Sequence, residues 1–300
     1  ADTAYRVSTV QIGEAYTQEK QWINFSSFQL FPAKEKFYIY GEAGYYKYRY
    51  YFYDIGNENV NGNKEKYDIN FSRIRTNYLV RIIPHLYSGF RYYFEKHVVL
   101  NLDSAGVLQN GNYLGIPKST TSSPGLVLLY DTRNNLFFPS NGWLVELAVQ
   151  NDSKNLGSYF SFTKISLDAA RYFSFFNKHV LAVNFVSSFI NGDSPFTQLS
   201  MFGGNKKMRG FYEGRFRDKT MLLLQAEFRI NLLPRWHLNV FSGIGWVADE
   251  FSHLQIKYSR FAGGAGLRFM IDKKQKINLR LDGARSIDGN KYYFTFNEAF

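Results

Sequence analysis

The 300-residue sequence has no cysteine. That excludes a disulfide framework and any thiolate metal site. Proline is scarce, with seven residues, and no run approaches 18 consecutive apolar residues, so no transmembrane helix is encoded. No segment of 12 or more residues carries a helical period. The opening residues, ADTAYRV, have neither a basic n-region nor an apolar h-region. An exported chain of this kind is expected to have shed its signal peptide already. Enzyme signatures are missing too. There is no G-x-S-x-G elbow, and the histidines at 85, 97, 179, 237 and 253 show no ligand spacing; they read as rim or turn residues. GGAGLR, 263–268, lacks both the dinucleotide fingerprint and a following helix. No catalytic site, cofactor or metal is expected. The net charge of +11 fits nucleic acid, anionic headgroups or a basic interior. Nucleic acid has only the charge behind it, and lumenal and loop cations account for that charge, so no nucleic-acid partner is expected.

Aromatics are abundant: 23 Tyr and 29 Phe, the enrichment that a pleated, half-buried surface selects. Period-two alternation runs through the chain. In KINLRLDGA, Ile277, Leu279 and Leu281 share one face while Asn278, Arg280 and Asp282 share the other. TMLLLQAEFRIN sorts Leu222, Leu224, Ala226, Phe228 and Ile230 against Gln225, Glu227 and Arg229. GWLVELAVQ sorts Trp143, Val145, Leu147 and Val149 against Glu146 and Gln150. Such segments are strands with one dry and one polar face. About fourteen are readable, at 3–15, 20–32, 35–53, 66–83, 86–103, 124–134, 141–151, 160–173, 179–190, 219–231, 237–248, 259–271, 275–286 and 291–300. The fold class is all-β, and residues 1–300 form a single domain.

Connection lengths alternate. PAKE, PH, FPSNG, FFNK, LLPRW and DKKQ are short; GNENVNGNKEKY and SAGVLQNGNYLGIPKSTTSSPG are long. Short turns at one end and long loops at the other describe an up-and-down transmembrane barrel, its turns periplasmic and its loops extracellular. The run YYKYRYYFY, Tyr45 to Tyr53, suits an aromatic girdle at headgroup level. Slightly negative mean hydropathy is no objection, because lipid-facing and lumen-facing residues cancel. Backbone groups in hydrocarbon must pair within the protein, so the strands are expected to close. The last strand, KYYFTFNEAF, is expected to put Tyr292, Phe294, Phe296 and Phe300 on the lipid face as a C-terminal assembly signal, with Glu298 on that face near the end, where a charge costs about 0–1 kcal/mol.

One stretch breaks the pattern. NKKMRGFYEGRFRDKT, 205–220, is basic, glycine-punctuated and without period. It lies in the long connection placed at 191–218. Its MRGF, together with YDTRNNLFFPSNGW, LLLQAEFRI, FAGGAGLRF, NLRLDGA and the terminal aromatic, resembles the BamA/TamA-type outer-membrane assembly and translocation barrels, the bacterial surface antigen family. The likeness is close over 124–300 and looser before. It implies a sixteen-strand barrel in a bacterial outer membrane, whose largest extracellular loop folds into the lumen and carries an Arg-Gly-aromatic tip. The tip here is Met208, Arg209, Gly210 and Phe211, and Tyr130, Asp131 and Arg133 belong to the family's strand-turn signature. The residues support a docked tip on their own terms. Parity puts Glu227 inside, where a buried Arg209 needs a carboxylate. Phe241, Gly243 and Gly245 share the inward face of HLNVFSGIGWVA, and the two glycines leave room for a loop. Where Gly243 stands the family usually shows an acid, so Glu227 is expected as the main partner of Arg209. Arg215, Arg217 and Lys219 form the return leg. Asp131 and Arg133 read as an inward structural ion pair rather than as catalytic groups.

No residues remain for the family's polypeptide-transport-associated (POTRA) domains in the sequence shown. The resemblance implies a role in outer-membrane protein assembly or translocation. The alternatives are a membrane anchor or docking platform, for an N-terminal domain such as a patatin-like lipase or for a periplasmic or surface partner, and a passive pore. Expected partners are the lipid bilayer, lipopolysaccharide, and the assembly machinery that inserts the barrel itself.

Overall fold

The computed structural model describes residues 5–57, 64–176 and 178–300. Its strands are β1 (Thr9–Tyr16), β2 (Trp22–Leu30), β3 (Phe37–Phe52), β4 (Glu65–Ile83), β5 (Leu86–Leu100), β6 (Lys118–Asp131), β7 (Gly142–Asp152) and β8 (Phe162–Phe175). They continue as β9 (His179–Gly192), β10 (Ser200–Phe202), β11 (Phe216–Asp218), β12 (Thr220–Asn231), β13 (Trp236–Ala248), β14 (Arg260–Asp272), β15 (Ile277–Ser286) and β16 (Gly289–Phe296). Fourteen form one antiparallel sheet in which each neighbours the next in sequence, except that β9 pairs directly with β12. Strands β10 and β11 make a separate two-stranded hairpin. This is an all-β, up-and-down transmembrane barrel with a long loop in its lumen. The fourteen strands read from the sequence are the fourteen of the wall. Parts of two expected connections, 58–63 and Asn177, and residues 3–4 of the first expected strand lie outside the described residues.

The alternation sets the wall's two faces. Along β12, Leu223, Gln225, Glu227 and Arg229 are buried while Leu224 and Phe228 are exposed. Elsewhere Arg268, Arg280, Asp282, Asn239 and Asn278 are fully buried, yet Leu126 is 69% and Phe294 67% exposed. A water-soluble fold buries these classes the other way round. Hydrocarbon on the outside resolves the inversion, since apolar residues face it without penalty and ladders satisfy the backbone. Among the described residues no helix is long and apolar enough to cross a membrane.

Four expectations need correction. The connection placed at 104–125 ends sooner, because β6 starts at Lys118 and its Ser- and Thr-rich residues ladder with β5. The girdle is half of what Tyr45 to Tyr53 suggested. Strand alternation leaves Tyr45 outside against Trp22 but turns Tyr46 and Tyr50 inward onto Phe71 and Tyr67. His97 and His237, expected at rims or turns, are buried instead, packed on Phe71 and Phe138.

The fourth concerns the C-terminal strand. Tyr292, Phe294 and Phe296 are exposed on the lipid face, but Asn297 takes φ = 59° and ends the alternation. The chain then turns inward. Glu298 is buried against Arg268 Nε (3.0 Å) and Asn278 Nδ2 (3.1 Å), not lipid-facing. Phe300 packs on the Ala170, Tyr172, Val180 and Ala182 cluster, so it does not share the face of Tyr292. Among the described residues no ladder joins β1 to β16; Thr9 and Gln11 of β1 and residues 297–300 line the same cavity of about 630 Å³.

Candidate functional site

The connection from β9 to β12, residues 193–219, enters the barrel rather than leaving it. It descends through a short 3-10 turn (Phe196–Gln198) and the β10/β11 hairpin. The sequence gives no period here because β10 and β11 have three residues each, too few to show one. Ser200 Oγ donates to Ser188 Oγ of β9 at 2.8 Å, pinning the hairpin to the wall. Below it the chain folds on itself, with Gly203 N donating to Lys207 O (2.6 Å) and Gly204 N to Phe211 O (3.0 Å). The tip so formed contains Met208, Arg209, Gly210 and Phe211.

Arg209 is buried between two strands' carboxylates. Its Nη2 reaches Glu227 Oε2 of β12 at 2.6 Å, and its Nη1 reaches Asp282 Oδ2 of β15 at 2.7 Å. The guanidinium also stacks over Phe241 of β13, 3.5 Å from the ring centre. This fork of donors with a flat, polarisable face is what arginine offers and lysine does not. The expectation of one main partner is thereby corrected. The second carboxylate comes from β15, two strands beyond the glycine at 243, so its absence at 243 costs nothing. Asp282 was legible as an inward residue of NLRLDGA; only its distance from the loop was not.

These carboxylates belong to a larger network. Glu227 Oε1 accepts from Arg229 Nε (2.8 Å) and Asn239 Nδ2 (2.9 Å). Asp282 Oδ1 accepts from Arg268 Nη1 at 2.5 Å, and Arg268 Nε donates to Glu298 at 3.0 Å. Arg229 Nη2 donates to Phe300 O (3.0 Å) and Arg280 Nη2 to Asn205 O (2.7 Å). Loop tip, wall and inward-turned C-terminal residues thus share one set of charge-assisted bonds. Buried charges persist only when paired and hydrogen-bonded in this way.

The rest of the tip is held by backbone and apolar contacts. Gly210 has φ = 116°, where an added Cβ would lie 2.9 Å from Ala262 Cβ. Its N–H donates to Tyr293 Oη (2.9 Å), and its carbonyl accepts from Ser286 Oγ (2.8 Å). Phe211 is fully buried with Met208, Phe202, Phe216, Leu223 and Val247. Gly243 and Gly245 face this cluster; side chains there would meet Met208 Sδ at 2.9 Å and Phe202 at 3.1 Å. Arg268, Tyr293, Phe202 and Phe216 were not singled out from sequence. Strand parity marks the first two as inward, whereas the two phenylalanines sit in short loop strands that carry no signal.

Of the return leg, Arg215 and Arg217 are buried and Lys219 is half-buried. Arg215 Nε reaches Asp288 Oδ2 at 2.9 Å, and Arg217 lies over Phe52 and Phe196. At the end of β6, Asp131 is bound by Arg133 (2.9 Å) and by Arg6 (2.8 Å), while Tyr130 is exposed. Asp131 and Arg133 therefore form a structural ion cluster with Arg6. Between the docked loop and strands β3 to β8 a polar cavity of about 530 Å³ remains, bordered by Glu42, Arg75, Lys164 and Lys206.

Solved structures of low identity share this architecture. BamA from Haemophilus ducreyi lacking POTRA domains 1–3 superposes with a TM-score of 0.64 at 14% identity, covering 97% of this chain and 64% of that one. CdiB from Acinetobacter baumannii gives 0.61 at 13%, covering 97% and 53%, and CdiB from Escherichia coli 0.60 at 12%, covering 96% and 55%. This chain therefore spans between about half and two thirds of those proteins, and the likeness is one of fold. No curated protein matches it in sequence. The Omp85 superfamily domain matches residues 13–281. With that match over most of its length, and with this barrel around its inserted loop, the chain belongs to the Omp85 superfamily of outer-membrane β-barrels.

Proposed function

We propose that the protein acts in the assembly or translocation of other polypeptides at the bacterial outer membrane, with MRGF as an internal latch. The observation that carries this reading is the Arg209 clamp on Glu227 and Asp282. A loop held by two buried ion pairs shapes the lumen and braces β12 against β15. A passive pore has no use for such a plug. Breaking one partner of a buried pair costs about 3–5 kcal/mol, so the latch is firm yet within reach of a binding event.

The polypeptide partner is a client chain or a periplasmic or surface protein. The barrel's own insertion would rely on the assembly machinery that reads the exposed Tyr292, Phe294 and Phe296 edge. Lipopolysaccharide phosphates would meet outward cations at the outer girdle, such as exposed Lys47 beside Trp22. Depletion followed by quantification of the outer-membrane proteome tests the role. Reduced levels of other barrels or of a surface protein are expected. An unchanged proteome would argue instead for an anchor or docking platform.

A further inference from the structure

The short turns are basic almost all the way round. Lys34 and Lys36 lie in the β2–β3 turn, and Arg81 near the end of β4. Lys178 lies between β8 and β9, Arg235 between β12 and β13, and Lys273, Lys274 and Lys276 between β14 and β15. All are exposed except Lys276, which is half-buried. Two acids stand among them, and both are occupied. Glu35 accepts the Arg6 N–H at 2.6 Å; Asp272 accepts those of Lys274 and Gln275 at 2.7 and 2.9 Å. The long-loop rim is mixed in sign: exposed Glu19, Asp103, Asp193, Asp249 and Glu250 stand there among exposed Lys20, Lys64, Lys118, Lys154 and Lys257.

In four of these places the cation has apolar company. Lys36 lies 5.8 Å from the Phe37 ring centre. Exposed Ile82 and Ile83 follow Arg81, Phe176 (90% exposed) precedes Lys178, and Leu232, Leu233 and Trp236 surround Arg235. A cation beside a bare apolar side chain suits an interface in which one sinks among acyl chains and the other reaches phosphate. The pattern recurs in turns around the circumference. An acidic protein would need charge over one sector, whereas an annulus of lipid needs it everywhere.

We propose that this collar binds anionic phospholipid headgroups of the phosphatidylglycerol class in the periplasmic leaflet. The inference rests on the barrel reading, with short turns facing the periplasm. The ring of cations fixes the barrel's depth and draws acidic lipid around the mouth where residues 297–300 enter the lumen.

Native mass spectrometry of the full chain in detergent, with phosphatidylglycerol or phosphatidylethanolamine of the same acyl chains, tests it. Wild-type barrel is expected to retain phosphatidylglycerol preferentially, and less so at high salt. Reversing Lys273, Lys274 and Lys276 to Glu should reduce that retention by roughly fivefold or more per charge, while Asp249→Asn with Glu250→Gln on the other rim leaves it unchanged. Heat-modifiable migration reports folding separately, so a chain that never folds in detergent speaks against the barrel, not the collar. A folded barrel that retains both lipids equally overturns the collar. Should the triple variant not fold, the salt titration of wild type decides, and a preference indifferent to salt overturns the proposal. A poly-glutamate chain that binds wild type and is not displaced by phosphatidylglycerol would assign the collar to an acidic protein instead.

Discussion

Arg209 and Asp282 are 73 residues apart in sequence and 2.7 Å apart in the lumen. The bond joins a loop between β9 and β12 to a strand three places further along the wall. With Glu227 on the other side of the guanidinium, one side chain ties the plug to β12 and β15 together.

Replacing that side chain leaves Glu227 Oε2 and Asp282 Oδ2 without their nearest cation, with Arg229 and Arg268 still on the other carboxylate oxygens. Arg209→Ala is expected to destabilise the folded barrel by about 3–5 kcal/mol, read as a lower urea midpoint in reconstituted vesicles. Single-channel recordings should show higher conductance as the tip leaves the lumen. Arg209→Lys keeps the charge but loses the fork, and should fall between. Unchanged conductance in Arg209→Ala would mean that the tip stays docked without its ion pairs.

The fit at β13 gives a steric counterpart. Gly243→Leu would drive a side chain into Met208. The loop is expected to undock while wall strands keep their pairing. Trypsin cleavage after Lys206 or Lys207, absent from folded wild type and present in a variant that still migrates as a heat-modifiable barrel, is the signature. A protected loop in Gly243→Leu would contradict the packing described.

Position on the wall should set the sign and size of a charge's effect. Leu126 faces outward near the middle of β6. Leu126→Arg is expected to cost about 2–4 kcal/mol in lipid, measured by urea titration of folding into vesicles. Glu298→Gln removes a charge that the sequence pattern alone would place in lipid, yet it too should destabilise, because Arg268 loses one of its carboxylate partners. A gain in stability would put Glu298 back on the lipid face.

Asp218 is the last residue of β11 in the return leg, where burial raises its carboxyl from the ordinary range to about 6, and Asp249 adds to the rise while the Lys219 N–H opposes it. Its native form holds its proton more tightly than the unfolded one does. The contribution of Asp218 to the loop's stability is therefore fully present below the ordinary aspartate range and is lost as pH climbs through about 6. Hydrogen exchange of residues 200–218 across that window checks this. Asp218→Asn should flatten the dependence, and a profile that is already flat in wild type would dismiss it.

The wall was legible because lipid and lumen impose opposite demands on successive residues. Leu222 through Ile230 announce their faces without any knowledge of neighbours. Glu227 and the Gly243–Gly245 gap followed from the same parity. What escaped depends on where the period stops. Asn297 adopts a left-handed backbone, and one such residue reverses every side chain after it, so Glu298 and Phe300 were placed on the wrong side. The Asp282 partnership escaped for another reason, since parity gives a face but not which distant strand a loop will meet. Phe202 and Phe216 had no pattern to reveal them, because three-residue strands are shorter than the signal.

The direct pairing of β9 with β12 means that every ladder of the wall is formed without residues 193–219. Barrel and insert are thus two bodies carried on one chain, and removing residues 194–218 would leave the paired ladders of the cylinder whole. It would bare to the bore the one oxygen of each acid that Arg209 now covers, while Arg229 and Arg268 of the wall kept the other.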